Sequence, residues 1–222
     1  MMKNKLYLYF ILLCAIVNYG CKEDEYVYPN VLTEFVELTT DEKGTIALLT
    51  TDQGNRYDIE KRKGLDGLTP DSTYRTVSIY SLTDKKDQVY LYSAQVVLSA
   101  IPRPAKDFKD GVFTDPVHLQ SISYTDRYIN LVLQPMVKDN LHFYHFVYDG
   151  IKSNTNGTKT LNITLFHYRN NDYEGFKNKI YASVPIWYYE DKLQPNDRIN
   201  IHINTYEGMQ TKSFIYKEEN KY

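Results

Sequence analysis

Strict alternation of apolar and polar residues is the feature that most limits the folds open to this chain. Ile199, Ile201 and Ile203 fall on one face of an extended segment, with polar side chains between them. The same period of two recurs at residues 128–134 and 161–168. This pattern is typical of antiparallel sheets with one buried face. No stretch has a long apolar period of 3.6 residues, so the sequence predicts an all-β protein.

Turn residues divide the predicted strands into two groups. Five short strands with tight turns lie within residues 31–103, which favours a small β-barrel. Residues 101–111, rich in proline, glycine and charge, predict a linker. About seven strands in residues 112–217 then predict an antiparallel β-sandwich. We expect these seven strands at 117–124, 127–134, 141–149, 160–168, 178–189, 198–206 and 210–217.

The chain begins with an apolar leader that ends at a cysteine. A basic start precedes the apolar run 6–17, which is too short to span a membrane comfortably. Gly20-Cys21 then resembles the lipobox of bacterial lipoproteins, in which the cysteine is acylated and becomes the mature N-terminus. We therefore predict that residues 1–20 are a lipoprotein signal peptide and that Cys21 carries the lipid, such as palmitate. The alternative is an ordinary secretory peptide with an incidental cysteine.

Four charged residues follow this cysteine within the predicted tether, residues 21–30. They are Lys22, Glu23, Asp24 and Glu25. The run resembles the acidic surface-export signal that one group of Gram-negative bacteria places after the lipidated cysteine. The alternative is a solvated charge run in a flexible tether. We predict a lipid anchor in the outer membrane with the protein on the cell surface, and the periplasmic face is the alternative.

Charge and cysteine content exclude several classes of function. The leader holds two of the 26 basic residues and none of the 28 acidic ones, so the mature net charge would be −4. Nucleic-acid binding depends on neutralising phosphates, so we predict no nucleic-acid partner. Cys21 is the only cysteine after the leader, which excludes a disulfide framework and a thiolate metal site. The 22 tyrosines fit strand faces.

Several segments together resemble the NigD-like lipoproteins. A lipoprotein cysteine with an acidic follower leads into a barrel that carries the turn 51–54, Thr-Asp-Gln-Gly. After a proline-rich joint, the second domain opens at residues 115–117, Asp-Pro-Val, and its strand 161–175, LNITLFHYRNNDYEG, ends in an Asn-Asp loop. The resemblance implies an N-terminal OB domain at 31–103 and a C-terminal β-sandwich at 112–217. The family is named after a bacteriocin operon and is linked to immunity, and it implies no catalytic residues.

Histidines offer little support for a metal site. His142 and His145 are three residues apart, so on a strand they point to opposite faces. His118, His167 and His202 are scattered, although a three-histidine site among them stays open. We predict strand histidines, no metal and no cofactor.

Catalytic motifs are also missing from the sequence. Residues 170–175, Asn-Asn-Asp-Tyr-Glu-Gly, resemble a calcium loop, but Tyr181 stands where the bidentate glutamate would be, so a hairpin loop is the better interpretation. No G-x-S-x-G, H-E-x-x-H or P-loop occurs. The spread of acids leaves a glycosidase pair open, but no pair is distinguished. We predict no catalytic residues and no enzymatic activity.

The only tryptophan lies in the run 184–189, Val-Pro-Ile-Trp-Tyr-Tyr. If this run is a strand, Trp187 and Tyr189 share a face and could form an aromatic platform for a sugar or a partner. Pro185 would suit an edge strand. The alternative is that Trp187 belongs to the core or fills the joint between the domains.

These observations predict a non-enzymatic, lipid-anchored protein of the cell envelope. Our first hypothesis is that it binds a protein partner, with a role like bacteriocin immunity. The second hypothesis is a surface lipoprotein that binds glycans in support of nutrient uptake.

Overall fold

The structure, a computed structural model, describes residues 30–217. The predicted signal peptide, Cys21 and the charged run 22–25 lie outside these residues. Within residues 30–217 the two helical segments are single turns of 3₁₀ helix, and no helix there is long and apolar enough to cross a membrane.

The first five strands form a closed barrel in the order β1-β2-β3-β5-β4. Antiparallel pairing of β1 with β4 closes it, and β3 pairs with β5 in parallel. A closed five-stranded barrel of this kind agrees with the OB-like barrel predicted for residues 31–103. Its strands are β1 (Leu32–Thr40), β2 (Ile46–Thr51), β3 (Arg56–Ile59), β4 (Thr73–Leu82) and β5 (Gln88–Val96).

The remaining strands form a sandwich of two sheets and a short ribbon. The sheets have the orders β16-β15-β12-β11-β7 and β6-β14-β9-β8, and β10 pairs with β13. Most pairs are antiparallel, while β12–β15, β11–β7 and β14–β6 are parallel. The predicted all-β class, a barrel followed by a sandwich, is confirmed. The elements are β6 (Leu98–Ser99), β7 (Arg103–Pro104), the 3₁₀ turn η1 (Ala105–Asp107), β8 (His118–Tyr124), β9 (Tyr128–Gln134), β10 (Met136–Val137), β11 (Phe143–Ser153), β12 (Lys159–Tyr168), β13 (Phe176–Lys177), β14 (Ile180–Pro185), the 3₁₀ turn η2 (Trp187–Tyr189), β15 (Arg198–Thr205) and β16 (Gly208–Ile215).

The two β-structures have separate apolar cores. The barrel core includes Val36, Leu49 and Tyr80, each almost fully buried. The larger sandwich core is built from the alternating positions noted in the sequence, since Ile199, Ile201 and Ile203 all have no solvent exposure. The period of two therefore marked the buried faces correctly.

The predicted linker is a paired part of the sandwich. Within residues 101–111, Arg103 and Pro104 form β7 and pair in parallel with Val147 and Tyr148 of β11. Farther along, the ring of Phe108 stacks on that of Phe166, with centroids 4.8 Å apart. Proline and charge marked an irregular segment, but its pairing depends on a strand that lies much later in the chain.

The strand predicted at 178–189 is shorter than expected and does not lie at an edge. β14 ends at Pro185, and Ile186 has helical backbone angles, with φ −80° and ψ −29°. In its sheet β14 lies between β6 and β9. Pro185 is tolerated because it occupies the last position of the strand, and β6 pairs only with Ala182 and Ser183.

Candidate functional site

A buried ion pair lies where the barrel meets the sandwich. Asp52, in the turn after β2, receives two hydrogen bonds from Arg75 of β4, one from Nη1 at 2.5 Å and one from Nη2 at 2.7 Å. The two side chains are only 6% and 4% exposed. The fork of the guanidinium matches the two carboxylate oxygens, which is the geometry of a strong, charge-assisted pair.

Side chains of the sandwich complete this network. Arg75 Nη2 donates to Asn130 Oδ1 at 2.9 Å, and Arg75 Nε donates to Ser183 Oγ at 3.2 Å. Asp52 Oδ2 also accepts from Asn130 Nδ2 at 2.8 Å and from Thr125 Oγ1 at 2.9 Å. Because each buried charge is paired and hydrogen-bonded, the network fixes the barrel turn to β9 and β14.

An open cleft of about 530 Å³ lies beside the network. It is lined by both β-structures, chiefly by Glu37, Tyr74, Arg75, Arg127, Tyr128 and Trp187.

Polar groups in this cleft are held in place by one another. The Tyr128 hydroxyl donates to Glu37 Oε1 at 2.6 Å, and Arg127 Nη2 lies 3.4 Å from the same oxygen. Burial and the neighbouring Glu37 carboxylate raise the pKa of Tyr128 to about 12, so its hydroxyl keeps its proton and remains a donor. The Arg75 guanidinium lies over the ring of the same tyrosine, 3.9 Å from its centroid.

Trp187 stands at the rim of the cleft on a fixed backbone. The N–H groups of Ile186 and Trp187 both donate to the Arg127 carbonyl, at 2.8 and 3.2 Å. The Trp187 side chain lies close to the Tyr128 hydroxyl. Trp187 is nevertheless 38% exposed. Trp187 is therefore accessible and stands on a backbone that is held by hydrogen bonds.

The predicted platform of Trp187 and Tyr189 is wrong in its geometry. Both residues lie in η2, where three residues complete a turn, so residues two apart do not share a face as they would on a strand. Tyr189 is 1% exposed and packs in the sandwich core, with its ring stacked on Tyr148 at 5.9 Å. Its hydroxyl has no hydrogen-bond partner within residues 30–217. Of these two residues, only Trp187 is accessible to a ligand.

A second buried polar cluster contains two histidines and an aspartate. His142 Nδ1 lies 2.9 Å from His167 Nε2, and His142 Nε2 lies 3.2 Å from Asp172 Oδ2. The Asp172 carboxylate also accepts the backbone N–H groups of Lys138, Asp139 and Tyr173, at 2.7, 2.9 and 2.9 Å. Asp172 therefore holds together the loops around β10 and β12.

The hydrogen-bond partners of His167 fix its tautomer. His167 Nδ1 faces the Asp115 carbonyl at 2.9 Å and must donate to it. Burial lowers the pKa of His167, partly offset by this carbonyl, so its Nε2 is a bare acceptor. His142 Nδ1 then donates to this acceptor, and the other nitrogen of His142, Nε2, lies beside Asp172 Oδ2. The cluster is a chain of satisfied hydrogen bonds, which is a structural role.

The Asp172 carboxylate should make the stability of the protein depend on pH in the acidic range. Burial opposes its ionisation, but the backbone donors outweigh burial and hold the pKa of Asp172 below its usual range. A depressed folded-state pKa gives stability that is present above about pH 4 and is lost as pH falls further, since the unfolded chain then binds more protons. We expect Asp172→Asn to melt at a lower temperature at pH 7 and to show a flatter fall in melting temperature between pH 4 and 2.5.

Asp84→Asn, which changes an exposed turn carboxyl, is the control for this experiment and should follow the wild-type curve. Parallel curves for Asp172→Asn and wild type would show that the hydrogen-bonded carboxylate does not set the acid sensitivity.

The other histidines do not come together. His118 packs on Tyr206, His145 bonds to the backbone of Phe146, and His202 bonds to Thr211. Within residues 30–217, no group of three or more histidine, cysteine, aspartate or glutamate side chains is arranged to hold a metal ion. In the loop that resembled a calcium site, Asp172 is turned inward to the backbone groups described above.

Sequence reasoning missed the residues that build the joint. Asp52 was noted only as part of a turn, and Arg75, Asn130 and Ser183 were not singled out. Arg75 and Ser183 are 108 positions apart. Contacts between residues so far apart in sequence leave no local pattern. The only sign of them in the sequence was an arginine within the otherwise strand-like run 74–82.

The barrel, the sandwich and the polar joint between them define a class of two-part, all-β protein. The family model for the NigD-like C-terminal beta sandwich domain matches residues 100–216, more than half of the chain. The chain therefore belongs to the NigD-like family. Among functionally curated proteins, no sequence matches the chain significantly.

Solved structures show the same fold. A NigD-like immunity protein from Bacteroides caccae is 27% identical, with a TM-score of 0.69 over 86% of this chain and 100% of that one. A candidate toxin-related protein from Parabacteroides distasonis is 12% identical, with a TM-score of 0.67 over 86% and 95%. A candidate lipoprotein from Bacteroides fragilis is 14% identical, with a TM-score of 0.61 over 87% and 100%. The last two likenesses concern the fold alone.

Proposed function

We propose that this protein is a non-enzymatic lipoprotein of the cell envelope that binds a protein partner and acts in bacteriocin-like immunity. The observation that carries the proposal is the similarity to the Bacteroides caccae NigD-like immunity protein, which extends over that whole chain at 27% identity. An immunity protein needs a binding surface and no catalytic centre. The buried clusters at Asp52 and Asp172 agree with this, because their polar groups are committed to hydrogen bonds that hold the fold.

Anchoring at the envelope would place the protein where a secreted toxin arrives. The leader that ends at Gly20-Cys21 supports lipidation. Stable anchoring takes more than one acyl chain, which a fully acylated lipoprotein cysteine provides. The acidic residues Glu23, Asp24 and Glu25 support the outer-membrane surface as the destination.

A deletion experiment tests immunity and anchoring together. We expect a deletion strain to be inhibited by the spent medium of its parent, and the full-length chain to restore growth. Cys21→Ala is expected to move the protein from the membrane fraction to the soluble fraction and to restore growth poorly, because the protein is no longer held at the envelope. Growth in a dilution series and immunoblots of cell fractions measure both effects.

Complementation with Tyr188→Ala, a substitution at an exposed side chain far from the leader in sequence, controls for expression. Equal growth of the deletion strain and its parent in spent medium would overturn the immunity role. A Cys21→Ala protein that stays in the membrane fraction and labels with palmitate would overturn the anchor.

A further inference from the structure

We propose that the cleft between the barrel and the sandwich binds a neutral sugar ring at the end of a glycan, with Trp187 as the stacking surface. This site goes beyond the proposed immunity role and does not depend on it.

The size and shape of the cleft suit a small ligand. Its volume of about 530 Å³ lies within the range of pockets that hold small molecules, roughly 300–1,000 Å³. The cleft is concave, and the two β-structures that form it are fixed to each other by the Asp52–Arg75 network. It is therefore preformed, which reduces the entropic cost of binding.

Three of the strands around the cleft are paired on both sides. β1 and β4 belong to the closed barrel and are paired on both sides, and β9 lies between β14 and β8. Strand addition requires free backbone donors and acceptors at a sheet edge. These three strands therefore offer side chains to a ligand and not a sheet edge, whereas Ser99 belongs to β6, the terminal strand of its sheet.

The fixed charges of the cleft are paired within the protein. Arg75 is neutralised by Asp52, and Glu37 is paired with Arg127 at 3.4 Å. A charged ligand would have to compete with these pairs, whereas a neutral ligand can hydrogen-bond to them as they stand. This balance favours a polyhydroxylated, uncharged molecule over an acidic or basic one.

The polar groups match the edge of a sugar ring. Glu37 accepts its hydrogen bonds from Tyr128 and Arg127 at Oε1, so within the described chain Oε2 is available to ligand hydroxyl groups. A carboxylate accepts several hydrogen bonds and can take hydroxyls on neighbouring carbons. These groups define the polar side of the site.

Trp187 supplies the apolar side. A pyranose ring presents carbon-bound hydrogens on its faces and hydroxyls at its edge, so it needs an aromatic face next to hydrogen-bonding groups. Trp187 is 38% exposed, its backbone N–H donates to the Arg127 carbonyl at 3.2 Å, and it lines the same cleft as Glu37. A rigid aromatic side chain gives a large contact area at low entropic cost.

Intrinsic fluorescence gives a direct test because Trp187 is the only tryptophan of the chain. The purified protein is screened on an array of neutral and charged plant, host and microbial glycans, and each glycan it binds is then titrated in solution. We expect a neutral glycan to shift the emission of Trp187 and to protect it from acrylamide. By calorimetry, Trp187→Ala should weaken binding of that glycan by about tenfold or more, and Trp187→Phe less, since a smaller ring remains.

Tyr188→Ala is the matched control, since Tyr188 lies in the same turn and is 43% exposed but does not line the cleft. It should bind like wild type, and melting temperatures confirm that all variants are folded. Binding of no glycan, binding of charged glycans alone, or equal binding by wild type and Trp187→Ala would each overturn the proposal. None of these results changes the expected outcome of the spent-medium assay. The glycan-binding proposal and the immunity proposal can therefore fail independently.

Discussion

Replacement of Asp52 by alanine is expected to lower the free energy of unfolding by about 3–5 kcal/mol, because it leaves a buried guanidinium without its counter-charge. Arg75 is only 6% exposed as a whole residue, so water cannot take over the role of the carboxylate. Asn130 and Thr125 lose an acceptor at the same time. Urea unfolding followed by circular dichroism measures the change.

Two further variants distinguish the effect of losing the ion pair from nonspecific destabilisation by a substitution. Asp84→Ala removes an exposed turn carboxyl and should change stability by less than about 0.5 kcal/mol. The double variant Asp52→Ala, Arg75→Met removes both charges and should recover part of the loss, since the buried unpaired charge is gone. If Asp52→Ala costs under about 1 kcal/mol, the joint is not held by this pair.

Replacement of Gly44 by alanine is expected to destabilise the barrel by about 2–5 kcal/mol, from backbone strain and overpacking together. Gly44 has φ +73°, and a Cβ there would overlap the carbonyl oxygen of Leu68. The position of the Cβ is set by the backbone at residue 44, and the oxygen belongs to the backbone of Leu68, so no side-chain rotation relieves the contact. The Leu68 N–H also donates to the Gly44 carbonyl at 3.1 Å, so the segment after β3 would have to move.

Gly54→Ala isolates the part of this effect that comes from the backbone angle alone. Gly54 has φ +86°, and no atom lies within 4 Å of a Cβ placed there. It should therefore cost about 1–2 kcal/mol, the penalty of a left-handed residue. Equal losses for the two alanine variants in urea unfolding would show that the approach of Leu68 to Gly44 is not a constraint.

Local patterns in the sequence determined the class of fold. Alternation with a period of two depends only on the pleat of a strand, so Ile199, Ile201 and Ile203 marked a buried face before any pairing was known. The turns at Gly44 and Gly54, which bound barrel strands, are also local features, because a positive φ angle favours glycine whatever the rest of the fold. The leader and Cys21 are likewise a local signal, and their role stays a prediction.

Only the tertiary structure decided which polar side chains meet. His142 and His167 are 25 positions apart, and the pairing of β11 with β12 brings them together over Asp172. Tyr189 looked equivalent to Trp187 in the sequence, yet the change from strand to 3₁₀ turn at Ile186 buried one ring and exposed the other. The period of side chains follows from the local backbone, whereas contacts between Arg75, Asn130 and Ser183 follow from how barrel and sandwich pack, which no short segment encodes by itself.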